Sequence, residues 1–88
     1  MNTMITLPVR QYDGYTDLIT CDNEATLTDI FNIWLKSSNC DWFEPNLHEV
    51  WFNIGGKTYG RLNLNLKINT IPFYTDLTLL ICIISKRK

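Results

Sequence analysis

The feature that most constrains this chain is the run Leu77-Thr78-Leu79-Leu80-Ile81-Cys82-Ile83-Ile84, which gives way at once to Ser85-Lys86-Arg87-Lys88. Eight residues with one weakly polar member do not alternate between core and solvent, so both faces of the segment require cover, as in the middle of a sheet. A late segment that must lie centrally obliges the earlier strands to flank it on both sides. With 88 residues there is room for one core and no second one, so residues 1–88 are read as a single domain. The 45% hydrophobic content against 19% charged is enough to fill that core and is unlike a disordered chain.

Upstream, Ile5, Leu7 and Val9 alternate with Thr6, Pro8 and Arg10, the period of a strand with one buried face. Pro8 removes a ladder donor, so the strand is either bulged there or turns that position away from a neighbour. Asp13-Gly14 is expected to supply the positive φ of a tight hairpin, returning Thr16 to Cys21 antiparallel with Leu18 and Ile19 as its apolar content. Thr26-Leu27-Thr28-Asp29 has the form of a capping box, with Thr26 as N-cap. Leu27, Ile30, Phe31, Trp34 and Leu35 then recur at helical spacing, opposite Thr28, Asp29, Asn32 and Lys36, with Ile33 at the edge of the apolar face. The helix ends in Ser37 to Asp41, and Trp42 to Asn46 forms a loop tucked against the core through Trp42 and Phe43. Val50, Phe52 and Ile54 alternate with Trp51 and Asn53 in a third strand, and Gly55-Gly56 turns into a short fourth strand at Thr58 to Arg61. Leu62 to Pro72 reads as an irregular or short helical crossover. Phe73 to Asp76 leads into the final strand.

The order strand, strand, helix, strand, strand, connector, strand predicts an α+β fold. The last strand lies beside the first in a mixed sheet, and the single helix covers one face. The predicted core is Ile5, Leu7, Leu27, Ile30, Trp34, Phe52, Leu77 and Leu79. This architecture resembles the ubiquitin-like, or β-grasp, family. Leu66, Ile71, Leu77 and Leu79 are similar to a leucine, isoleucine, leucine, leucine pattern of ubiquitin with the same gaps. Thr26-Leu27 with Ile30 and Trp34 resembles the start of its helix, and Gly56-Lys57 its Gly-Lys turn. Within that fold, the helix pattern, the Asp-Gly hairpin and the small size look most like the YukD/EsaB-type ubiquitin-like proteins of bacterial type VII secretion.

Little in the chain points to catalysis. Ubiquitin-type modifiers work through a C-terminal diglycine; here the final strand runs into Ser85-Lys86-Arg87-Lys88, so conjugation and sulfur transfer are not expected. Gly55-Gly56 is read as an internal turn. One histidine, His48, with scattered cysteines makes no zinc site and is read as a loop or surface residue, and the pair Cys40 and His48 lacks an orienting motif for nucleophilic chemistry. Cys21, Cys40 and Cys82 share no CxxC spacing and are read as reduced and structural. No metal, cofactor or catalytic residue is expected. A formal net charge of −1, from nine acidic and eight basic residues spread along the chain, provides no field for nucleic acid. Neither the Met1 to Gln11 segment nor the C-terminal run reads as a signal or a span, so a cytoplasmic protein without direct membrane insertion is expected. Lys86-Arg87-Lys88 is read as a solubilising tail.

The remaining candidate is the sheet face away from the helix. If Leu77, Leu79 and Ile81 point inward, then Leu80, Cys82 and Ile84 point outward, beside Trp51 and Asn53 of the third strand and Thr6 and Pro8 of the first. A protein-docking face of Trp51, Asn53, Leu80, Cys82, Thr6 and Pro8 is expected there, unless the Trp42 to Asn46 loop or the tail folds over it. The corresponding face of ubiquitin is its main docking patch, built around an isoleucine where this chain has Asn53, which implies a different set of partners. The resemblance implies a non-catalytic accessory or regulatory component of a type VII secretion machine. The alternative is a structural ubiquitin-like subunit of a multicomponent enzyme such as an oxygenase. A homodimer through the exposed sheet is also compatible with this reading.

Overall fold

The computed structural model describes residues 3–11, 14–38, 42–60, 63–72 and 77–85. The elements run β1 (Met4–Gln11), β2 (Thr16–Asp22), α1 (Leu27–Ser37), β3 (His48–Ile54), β4 (Lys57–Tyr59), a 3₁₀ turn at Ile68–Thr70 and β5 (Leu79–Ser85). The strands form one mixed sheet in the order β2-β1-β5-β3-β4, an α+β arrangement with a single long helix. β5 is central. It runs parallel to β1, from Val9↔Leu79 to Gln11↔Ile81, and antiparallel to β3, from His48↔Ser85 to Ile54↔Leu79.

Strand alternation decides which side chains enter the core. Leu7 and Val9 of β1, Ile19 and Cys21 of β2, Val50, Phe52 and Ile54 of β3, and Leu79 and Ile81 of β5 all face α1 and are buried. α1 answers with Leu27, Ile30, Phe31 and Trp34, while Ile68 and Ile71 from the crossover close the end of the layer. No polar or charged residue is buried among the described residues. Ile5 and Leu77 are only half-buried and pack at the margin of the core, and Leu66 is exposed, because the chain near it serves the helix through its backbone.

The helix start is satisfied at every donor. Thr26 and Asp29 form the capping box, Asp29 N–H donating to Thr26 Oγ1 (3.2 Å) and Thr26 N–H to Asp29 Oδ2 (3.1 Å). The first-turn amides of Leu27 and Thr28, which a helix leaves unpaired, donate to the carbonyls of Leu66 and Leu64 in the crossover, both at 3.1 Å. The irregular segment is therefore held by backbone bonds to the helix N-terminus, and Ile68 N–H adds a third to Ala25 O (2.8 Å). The Lys67–Glu24 ion pair (3.0 Å) alongside is about half exposed at both ends and adds little.

Several expectations are corrected. Gly14 does not take a positive φ; the described glycines that do are Gly55 (62°) and Gly56 (84°). The first hairpin loop has four residues between Gln11 and Thr16, and its turn is closed by Gly14 N–H to Gln11 O (2.9 Å), which requires no left-handed residue at Gly14. Tyr12 and Asp13 lie outside the described residues. Of the two arrangements expected for Pro8 the bulge does not occur, since the register with β2 passes through Pro8↔Leu18 unbroken and the ladder to β5 begins only at Val9. β4 spans Lys57–Tyr59, starting one residue before the expected Thr58 and ending before Gly60, with Arg61 outside the described residues, and β5 starts at Leu79 rather than Leu77. Loss of the cap by Thr26→Ala should lower stability by about 1 kcal/mol, read as a fall in the urea midpoint at unchanged slope.

Candidate functional site

The outer face of the sheet is built by the residues that alternate with the core. In register across it lie Thr16 of β2, Arg10 of β1, Leu80 of β5, Asn53 of β3 and Thr58 of β4. One step along β5, Cys82 stands opposite Trp51, and one step further Ile84 stands opposite Glu49. Leu80, Cys82, Trp51 and Asn53 therefore form a contiguous set on two adjacent strands, each half-buried by its neighbours within the sheet. Thr6 and Pro8 share the face but lie toward the far end of β1. Pro8 pairs with Leu18, which is 70% exposed, and Thr6 Oγ1 is 3.2 Å from Thr20 Oγ1. The six expected residues thus divide into a group of four at the β5–β3 corner and a pair on β1. Arg10, which the alternation of the first strand already turned outward, stands between them.

Trp51 is held in a fixed pose. A Cβ built on Gly60 would overlap Trp51 Cζ3 and fall 2.7 Å from both Cε3 and Cη2, so the indole lies directly on the Gly60 backbone. Its Nε1–H donates to Glu49 Oε2 at 3.1 Å. Gly60 is a site residue that the sequence reading passed over. Its signal was a lone glycine at the end of a strand, which marks a close approach by another group.

The Trp42 to Asn46 loop does not cover this face. Phe43 packs edge-on against Phe31 of α1, with ring centroids 5.0 Å apart, and stacks on His48 at 5.8 Å, while Trp42 meets His48 edge-on at 5.4 Å. All three rings belong to the helix side, where Phe31, Phe43, Pro45, His48, Val50 and Leu64 line a groove of about 260 Å³. Lys86 to Lys88, like residues 61–62 and 73–76, lie outside the described residues.

His48 is not a loop or surface residue. It is the first residue of β3, half-buried, and its Nδ1 accepts the Glu44 N–H at 3.0 Å, which places the proton of the neutral ring on Nε2. Among the described residues no three His, Cys, Asp or Glu side chains are grouped to hold a metal ion. Cys40 is outside the described residues, so the pair with His48 has no described geometry. Cys21 is buried, and burial pushes its thiol up, with Asp22 and Asp29 adding in the same direction; Cys82 lies half-buried on the outer face. Among the described residues no helix is long and apolar enough to cross a membrane.

Neither a protein-family model nor a curated protein sequence matches the chain.

Two measurements test this geometry. Gly60→Ala should force the indole off its seat and destabilise the domain by about 1–3 kcal/mol, and much of that cost should vanish in a Trp51→Ala background, so that the double variant loses less than the sum of the two single ones in a double-mutant cycle. Maleimide labelling read by peptide mass mapping should modify Cys82 well before Cys21, whose reaction should wait on unfolding.

Proposed function

We propose that this chain is a non-catalytic interaction module of the ubiquitin-like, β-grasp type, docking a protein partner through the outer face centred on Trp51 and Leu80. The observation that carries the reading is an apolar corner of half-buried side chains, Leu80, Cys82 and Trp51, on the face away from the helix, whose largest side chain is already fixed on Gly60. A pre-set tryptophan loses little rotamer freedom on binding, and tryptophan is the residue type most enriched at interface hot spots. The β-grasp assignment is supported by the strand order β2-β1-β5-β3-β4, with β1 and β5 parallel and adjacent at its centre. The resemblance of the helix pattern and size to YukD/EsaB-type proteins favours a cytosolic accessory or regulatory role in type VII secretion.

Trp51→Ala combined with Leu80→Asp removes the anchor and sets a charge beside it while leaving every inward core residue untouched. Affinity capture from the native host should recover a protein partner with the wild-type chain and lose it with this variant, whose circular dichroism should match wild type. Retention of the partner by the folded variant rules out the face.

A further inference from the structure

The edge of the sheet at β2 carries backbone groups that the fold leaves unused. β2 is the outermost strand beside β1, seven residues long, without proline, glycine, lysine or arginine, and its register with β1 is unbroken. Edges are ordinarily blunted by such residues, by a bulge or by brevity, and the opposite edge, β4, is only three residues long. One bond decides which groups of β2 face outward. Asn23 N–H donates to Thr3 O at 2.8 Å, so Asn23 and Thr3, in register just beyond the ladder, are a hydrogen-bonded pair. Bonded pairs recur at every second residue, so Cys21, Ile19 and Asp17 bond to Ile5, Leu7 and Val9. Pro8, which has no N–H, falls on the other parity and costs this ladder nothing. Thr16, Leu18 and Thr20 therefore direct their N–H and C=O off the sheet, and among the described residues no hydrogen bond engages those groups. The Asp22 carbonyl, next in the same series, is already taken by Ala25 N–H at 3.0 Å.

The free groups are symmetric about Leu18, which makes the edge complementary to itself. A second β2 brought up antiparallel across a two-fold axis at Leu18 sets Leu18 opposite its own counterpart and Thr16 opposite Thr20. Each free residue then meets a free residue, and each such pair exchanges two hydrogen bonds. Moving the axis to Ile19 would set Thr16 opposite Asp22, whose carbonyl is occupied, and moving it to Asp17 would oppose two carboxylates directly. Side chains favour the same register. Leu18 is 70% exposed on the outer face beside Pro8, and pairing joins the two copies of each into one apolar strip flanked by Thr16–Thr20 contacts.

We propose that β2 is a self-association edge: two copies of this chain pair antiparallel through Thr16, Leu18 and Thr20 and merge their sheets into one. A single strand pair buries less than the ~1,200 Å² of stable interfaces, so the dimer is reversible, with a Kd of about 0.1 mM. Asp17 lies opposite Ile19 in this register, and the two Asp17 carboxylates are diagonal neighbours whose repulsion limits the affinity. The edge shares no residue with the corner at Trp51 and Leu80, so the two proposals stand or fall separately.

Sedimentation equilibrium and ¹⁵N spectra of the full chain, from about 20 µM to about 1 mM, test the pairing. The average mass should rise toward that of a dimer across the range. At the upper end the amides of Leu18 and Thr20 should gain protection from hydrogen exchange, whereas those of Ile19 and Cys21, bonded to β1, should be protected throughout. Leu18→Lys opposes two like charges, and Thr20→Pro removes an outward N–H and no bond to β1. Each should weaken dimerisation about tenfold or more at unchanged circular dichroism. Asp17→Asn should tighten it about twofold to threefold. Trp51→Ala with Leu80→Asp should leave it as it is, whatever that variant does to partner capture. A chain monomeric at about 1 mM, a dimer indifferent to both Leu18→Lys and Thr20→Pro, or concentration-dependent shifts confined to Trp51 and Leu80 overturns the proposal. Capture of an unrelated extended peptide by an edge that does not pair with itself does the same.

Discussion

The structure depends on the seating of β5 between two pairs of strands that do not otherwise touch in the sheet. Leu79 is opposite Val9 on one side and Ile54 on the other, and Ile81 is opposite Gln11 and Phe52. Both side chains are fully buried. The residues that set the register of the two halves are thus the residues that fill the centre of the core, and a one-residue slip of β5 would turn both toward solvent. Burying such side chains contributes roughly 1.5–3 kcal/mol each, which is a large part of the net stability of a domain this size.

The two ladders of β5 are unequal, and the inequality shapes the surface. Seven residue pairs join β5 to β3, but the described ladder to β1 has only three, ending at Gln11↔Ile81. Among the described residues β1 offers no partner beyond that point, and Ile84 reaches 47% exposure. The apolar run is therefore fully buried at Leu79 and Ile81, half-buried at Leu77, Leu80, Cys82 and Ile83, and exposed at Ile84. The helix is committed elsewhere: its apolar stripe takes the inner face, and its N-terminal amides are engaged by the crossover at Leu64 and Leu66.

Much of this was legible from residue order. The capping box at Thr26, the helical spacing from Leu27 to Trp34, the alternation around Phe52 and the Gly55-Gly56 turn each rest on local chemistry, and each lies where expected. What local pattern did not give was register. It placed Thr6 and Pro8 beside Leu80, whereas the parallel ladder starts at Val9 and puts Arg10 there. It took Asp13-Gly14 for a tight turn because the dipeptide suits one, although the loop is two residues longer. His48 was assigned by its solitude in the sequence, while its place at the head of β3 follows from packing against Trp42 and Phe43.

The outer corner sorts its side chains by polarity. Leu80, Cys82 and Trp51 make its centre, and Arg10, Asn53 and Glu49 stand in register around them, so an apolar middle carries a polar margin of both charges. Glu49 serves twice, since it also anchors the Trp51 indole. That coupling explains why the ring lies flat on Gly60 instead of collapsing over Leu80: the carboxylate and the bare glycine backbone together fix it along β3. In the proposed docking role, an aromatic side chain fixed in this way would bind without first having to be ordered.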